Sequence, residues 1–192
     1  AQFPTHPDIA GVQDSLGEAY ADMKDLTKAQ EAIKTDIEKY PGHNGLLRMI
    51  TRVAVETARA GDPNKAMELT QAIFDQKPQG MDLLYALTTK ARVLIHQGKE
   101  AEAQKLADEI LVQFKSNPKE TAYHLFGVGE EFYSRAFTDN SYGQLSENAP
   151  VMLNKAIEFW KQPFFQEDPK QKVKVMYFTG MAYLYLRQYE AA

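Results

Sequence analysis

The sequence predicts an all-α protein assembled from repeated pairs of antiparallel helices, and three observations carry this prediction. Small residues recur in two interleaved series, with intervals of 37, 37, 38 and 51 residues in the first and 37, 37, 53 and 36 in the second. Apolar residues around them follow the i, i+3, i+4, i+7 spacing of one helix face. No alternating apolar and polar stretch is long enough to predict a strand. The first series is Gly17, Ala54, Ala91, Gly129 and Gly180, and the second is Ala29, Ala66, Ala103, Ala156 and Ala192.

The two series predict five units of two helices each, in a single array over residues 1–192. The units span approximately residues 10–43, 47–80, 84–118, 120–168 and 169–192. The fourth unit holds an insertion at 138–149, where both series lengthen, and the fifth is incomplete because its second helix only begins at Ala192. Units of this size bury a continuous core by stacking on their neighbours, so the period predicts a repeat array.

The first two units show the pattern most plainly. Gly61-Asp62-Pro63 separates the two helices of the second unit, since proline and glycine disfavour a helix interior. A glycine inside a helix costs about 1 kcal/mol relative to alanine, so Gly17 predicts a crossing too close for a larger side chain. The key residues of the first unit are Leu16, Gly17, Tyr20, Ala29, Ile33 and Pro41, and those of the second are Val53, Ala54, Thr57, Ala66, Thr70 and Pro78.

The later units repeat the pattern with more variation. Gly98-Lys99 separates the helices of the third unit, and Pro150 is placed to open the helix after the insertion. Phe164 and Phe165 are expected to pack in an irregular turn. The key residues are Ala91, Leu94, Ala103, Ala107 and Pro118 in the third unit, Leu125, Val128, Gly129, Phe132, Ala156 and Trp160 in the fourth, and Met176, Thr179, Gly180 and Tyr183 in the fifth.

Leu16-Gly17-x-x-Tyr20, Ala29-x-x-x-Ile33 and Gly180-x-x-Tyr183 resemble the tetratricopeptide repeat family, and the resemblance covers nearly the whole chain. The period exceeds the family's usual length by about three residues, which implies longer turns between hairpins. The resemblance implies a right-handed superhelical solenoid whose first helices line a concave groove. It disfavours the family's clamp for a chaperone's C-terminal carboxylate, because Asp14 and Glu18 stand where that clamp needs lysine and asparagine.

The composition and motifs exclude several classes of function. A net charge of −4 without a concentrated basic segment argues against a nucleic-acid partner, and the absence of cysteine removes disulfides and thiol chemistry. No apolar run reaches the ~18 residues of a membrane-spanning helix. We expect a non-enzymatic protein without cofactor or metal, because the histidines match no catalytic or ligand spacing. They are His6, His43, His96 and His124.

The predicted function is the binding of a protein or peptide partner in the groove, which would be acidic at its first end, basic in the middle and aromatic at the far end. Arginine binds carboxylates through two parallel hydrogen bonds, and tyrosine supplies a large apolar contact. The predicted binding residues are Arg48, Arg52, Arg59, Tyr85, Arg92, Tyr123, Phe126, Tyr133, Tyr177 and Tyr185. A solvated surface without a binding role stays open, as does binding through the insertion at 138–149.

Two further classes of function stay open. The incomplete last unit leaves an apolar face without a polar cap, which would allow a structural protein to assemble through its repeat ends. The other class is a regulatory arm of a larger catalytic protein. We expect the sequence to be a fragment cut within a repeat. Ala1-Gln2 suits the position after a signal-peptidase site and favours an exported or envelope location over the cytoplasm.

Overall fold

The structure, a computed structural model, describes residues 9–40, 45–138 and 144–187. Over these residues the chain is helical and forms no strand beyond an isolated antiparallel bridge between Phe137 and Leu145, which confirms the predicted all-α class. A 3₁₀ helix, Pro163–Gln166, lies between the last two helices. The α-helices are α1 (Ile9–Asp22), α2 (Leu26–Lys39), α3 (Leu46–Arg59), α4 (Pro63–Asp75), α5 (Gly80–His96), α6 (Glu100–Gln113), α7 (Pro118–Ser134), α8 (Ala149–Trp160) and α9 (Pro169–Tyr185).

The chain divides into two compact units, residues 1–100 and 101–192. The first unit contains α1 to α5 and consists of two helix hairpins and a following helix. α1 packs against α2 and α3 against α4, while α3 also contacts both helices of the preceding hairpin. α5 packs in the same way against α3 and α4. The core of the first hairpins consists mainly of Ala21, Ala29, Ile33, Leu46, Met49, Ile50, Val53, Ala54, Leu69 and Ile73.

Aspartate caps mark the beginnings of α2 and α4 in this first unit. Asp25 Oδ1 accepts a 3.2 Å hydrogen bond from the backbone N–H of Lys28 at the start of α2. Asp62 caps α4 in the same way at 3.0 Å, and Pro63 occupies the first turn, where its missing N–H leaves no bond unmade. Gly61 has a φ of +96°, which glycine adopts without strain. The predicted break between α3 and α4 is therefore confirmed.

Small residues stand where helices approach most closely. A Cβ built on Gly17 would lie 2.1 Å from Met49 Sδ and 3.3 Å from Ala32 Cβ, so α1 approaches its neighbours too closely for a larger side chain. The alanines of both series are fully buried wherever they are described, while Ala192 lies outside the described residues. These alanines are Ala29, Ala54, Ala66, Ala91, Ala103 and Ala156.

The second unit has a core dominated by aromatic side chains. α7 packs against α8, and α9 packs against both. Trp160 of α8 is fully buried and stacks on Phe126 of α7, with ring centroids 5.4 Å apart and an interplanar angle of 15°. Phe178 of α9 lies 5.6 Å from the Trp160 ring. Phe165, in the 3₁₀ helix, is fully buried and lies 6.0 Å from Phe159, which confirms the predicted packing of this turn.

Candidate interaction surface

A row of ion pairs joins α1 to α3 in the first unit. Arg48 Nε donates a 2.7 Å hydrogen bond to Glu18 Oε1, and Arg52 Nε donates a 2.9 Å bond to Asp22 Oδ1. The two acids are four residues apart, as are the two arginines, so the pairs follow one another at one-turn spacing along both helices. We call these four residues the paired charge row.

A buried carboxylate, that of Glu56, lies on α3 one turn beyond Arg52. Its side chain is only 3% exposed, and it binds two cations. Arg59 Nη1 donates to it at 3.0 Å, and Lys24 Nζ forms a second ion pair from the turn between α1 and α2. Burying a carboxylate away from water is costly unless cations pair with it. Glu56 therefore ties the α1–α2 turn to α3.

These pairs correct the prediction of a separate acidic end and basic middle. The acids of α1 and the arginines of α3 neutralise one another, and the constant separation of 30 residues in both pairs is the sequence signal that could have revealed this. The side chains of Arg48 and Arg52 are 63% and 50% exposed, so a partner can reach them. Arg59 is largely buried with Glu56. A ligand carboxylate would have to exchange with Glu18 or Asp22.

The other two predicted residues of the first unit lie on α5. Tyr85 and Arg92 are both partly exposed. α5 packs beside α3, and a 3.2 Å hydrogen bond from Thr89 Oγ1 to Thr51 Oγ1 crosses this contact. The five predicted residues of the first unit therefore lie on two adjacent helices, with Arg48 and Arg52 the most accessible.

The predicted aromatic residues of the second unit divide into three groups by exposure. Phe126 and Tyr133 are 1% and 4% exposed and belong to the core, which corrects their assignment to a binding surface. Tyr185 is partly buried, with its ring 4.9 Å from that of Phe137. Tyr123 and Tyr177 are the well-exposed pair, at 58% and 63%. The family resemblance and the helical spacing together assigned all five to one surface, but neither reveals which side of each helix faces its neighbours.

Two backbone hydrogen bonds join the described ends of the insertion predicted at 138–149. Thr138 N–H donates to the Gln144 carbonyl at 2.9 Å, and Ser146 N–H donates to the Ala136 carbonyl at 2.8 Å. Residues 139–143 lie outside the described residues. α8 begins soon afterwards with Pro150 in its first turn, as predicted.

The second unit contains a cavity of about 460 Å³ between the α6–α7 turn and the 3₁₀ helix. This volume lies within the range of small-molecule and side-chain pockets. Most of its lining residues are apolar, and Lys115 and Glu167 contribute charged side chains. The lining residues are Leu111, Phe114, Lys115, Pro118, Thr121, Gln162, Pro163, Phe164 and Glu167.

The described residues bring together no group of three or more histidine, cysteine or carboxylate side chains suited to a metal ion. His6 and His43 lie outside the part of the chain that is described, and His96 and His124 are partly buried. No helix within the described ranges has the length and apolar character needed to cross a membrane. Comparison with protein-family models, with curated proteins and with solved structures found no match to this chain.

Proposed function

We propose that this chain is a non-enzymatic interaction module of the tetratricopeptide type, a right-handed solenoid that binds a protein or peptide partner on the surface of its first helices. The observation that carries the proposal is the packing order of the first unit. α1 contacts α3 and α3 contacts α5, so consecutive first helices lie side by side. Such a layer offers a partner parallel rows of side chains from successive repeats.

The paired charge row is the part of this surface that would recognise carboxylates. Exposed ion pairs of this kind stabilise a fold by only about 0–1 kcal/mol each, so exchanging one internal carboxylate for a ligand carboxylate costs little. The guanidinium groups of Arg48 and Arg52 are one helical turn apart, about 5–6 Å along the axis. The best ligand is therefore a peptide with two acidic side chains at that separation, alternate residues of an extended strand or one turn of a helix.

A peptide-display selection tests this proposal. Wild type is compared with Arg48→Glu/Arg52→Glu and with a matched control, Lys34→Glu/Lys39→Glu, which makes the same charge change on α2. We expect wild type and control to enrich peptides with paired acidic residues, and the arginine variant to lose at least about tenfold in affinity for them, equivalent to ~1.4 kcal/mol. Circular dichroism establishes that all three fold.

Two results would contradict the proposal. Enrichment of peptides without acidic residues would show that the paired charge row does not bind ligand carboxylates. Equal enrichment by all three proteins would place binding on another surface, for which Tyr123 and Tyr177 are the exposed aromatic candidates.

A further inference from the structure

The cavity between the α6–α7 turn and the 3₁₀ helix lies entirely within the second unit. Its volume of about 460 Å³ is that of a small-molecule pocket. All of its lining residues belong to two segments, 111–121 and 162–167. Both segments lie within residues 101–192, so one compact unit of the chain forms the whole cavity.

The α6–α7 turn forms one wall, and hydrogen bonds within the turn hold its shape. Phe114 is buried at 7% exposure, and its carbonyl oxygen accepts two hydrogen bonds. The Asn117 N–H donates to it at 2.9 Å, and the hydroxyl of the buried Thr121 donates at 3.2 Å. This wall therefore keeps its conformation without a ligand.

The 3₁₀ helix forms a second wall. The fully buried Phe165 anchors it, and the ring of the partly buried Phe164, which lines the cavity, lies 4.2 Å from the Phe165 ring. The Phe165 N–H donates to the Gln162 carbonyl at 3.2 Å. α7 contacts the 3₁₀ helix directly, which fixes one wall relative to the other. A site with fixed walls loses little conformational entropy when a ligand binds.

Two side chains of opposite charge line this largely apolar cavity. Lys115 lies in the α6–α7 turn, Glu167 follows the 3₁₀ helix, and both are exposed. Among the residues that the structure describes, neither forms an ion pair, with the other or with a third residue. The cavity therefore presents an ammonium group and a carboxylate beside apolar walls, and both charges are available to a ligand.

We propose that this cavity binds a zwitterionic α-amino acid with a large apolar side chain. At about pH 7 such a molecule carries a carboxylate, which Lys115 binds, and an ammonium group, which Glu167 binds. Its side chain packs against Phe114 and Phe164. Lysine has a long flexible stem, so its ammonium group can adjust to the short distance between the two charges of an amino acid. The inference is independent of the peptide-binding proposal, which concerns α1 and α3.

An NMR titration of the whole chain with phenylalanine tests the inference. We expect saturable shifts confined to the backbone amides of 111–121 and 162–167, with a dissociation constant below about 1 mM. Glycine, which has both charges and no apolar side chain, should leave these amides unshifted up to about 10 mM. The comparison of the two amino acids measures the contribution of the apolar walls.

Two charge variants test the ion pairs. Lys115→Met and Glu167→Gln should each weaken phenylalanine binding about three- to fivefold, the effect of one partly exposed ion pair. Both residues are exposed, so neither change should disturb the fold. The matched controls are Lys119→Met and Glu158→Gln, which make the same changes at exposed residues outside the cavity and should leave binding unchanged.

Two analogues of phenylalanine assign each charge to its partner. Phenylalaninamide lacks the carboxylate, so Lys115→Met should not weaken its binding further. N-acetylphenylalanine lacks the ammonium group, so Glu167→Gln should not weaken its binding further. A merely structural role of Lys115 or Glu167 would lower the affinity for all three ligands alike.

Three outcomes would overturn the inference. The absence of saturable shifts up to about 10 mM phenylalanine shows that the cavity does not bind this class of ligand. Shifts centred on other amides place the binding elsewhere. Binding that both charge variants leave unchanged shows that the cavity does not recognise a zwitterion.

Discussion

Gly129 of α7 lies so close to Trp160 of α8 that a Cβ built on the glycine would be 2.1 Å from the indole Nε1 and within 2.7 Å of two ring carbons. The ring is fully buried and stacks on Phe126, so it has no room to move aside. The missing side chain at Gly129 is therefore what allows these two helices to pack at this distance.

Gly129→Ala is expected to destabilise the second unit by about 1–3 kcal/mol, even though alanine favours a helix, because the added methyl overpacks the core. Trp160 is the chain's one tryptophan, so its fluorescence during urea unfolding reports on this unit. Gly11→Ala is the control, since nothing lies within 4 Å of the added Cβ. It lies in the first unit, so its unfolding is followed by circular dichroism, and it should raise stability slightly. Equal effects of the two changes would contradict the packing argument.

Glu56→Gln is expected to lower the stability of the first unit by about 1–3 kcal/mol, because it removes the buried carboxylate that pairs with Lys24 and Arg59. Asp22→Asn removes an acid from the exposed paired charge row and should cost at most about 1 kcal/mol. Hydrogen exchange of α3 amides measures both effects within this unit. Similar protection of the α3 amides in the two variants would show that the buried ion pairs of Glu56 contribute no more stability than the exposed pair of Asp22.

Phe126→Ala and Tyr123→Ala remove aromatic rings three residues apart on the same helix. The first is expected to cost about 3–5 kcal/mol, because it opens a cavity in the aromatic core. The second should change stability by less than about 0.5 kcal/mol, because the ring is mostly exposed. Urea unfolding followed by circular dichroism makes the comparison. A large loss from Tyr123→Ala alone would mean that Tyr123, not Phe126, faces the core.

Asp25, which caps the start of α2, makes the stability of the fold depend on pH in the acid range. The hydrogen bond from the Lys28 side chain, followed by that from its backbone N–H, lowers the pKa of Asp25 below its ordinary value of 3.8. A lowered pKa means that this stabilisation is present above pH 3.8 and is lost as the pH falls through the folded-state value. An NMR titration should show the Asp25 midpoint move upward in Lys28→Met. An unchanged midpoint would contradict the assigned cause.

Asp25→Asn provides the complementary control. Asparagine caps a helix nearly as well as aspartate but does not titrate in this range. The variant should keep α2 while losing the part of the pH dependence that belongs to this carboxyl group. Unfolding of the wild type and variant at pH values on either side of 3.8 makes the comparison. If the free energy of unfolding depends on pH in the same way in both proteins, Asp25 does not contribute to that dependence.

Local sequence patterns were enough to predict the helices and several of the places where they come close. Gly61-Asp62-Pro63 predicted the break between α3 and α4 because the effect of glycine and proline on a helix is local. The recurrence of Gly17 and Gly129 predicted close crossings, because a glycine disfavoured in a helix is retained where a side chain has no room. These are properties of a residue and its immediate neighbours, so the order of residues suffices to find them.

Which charges pair and which aromatic rings are buried depends on how the helices pack against one another. Arg48 meets Glu18 because of the axial offset between α1 and α3, and Phe126 is buried while Tyr123 is exposed because of the rotation of α7 toward α8 and α9. Offset and rotation are set by the fit of whole helix surfaces, to which many side chains contribute at once. Helical periodicity identifies the faces of one helix but leaves open where a second helix contacts them.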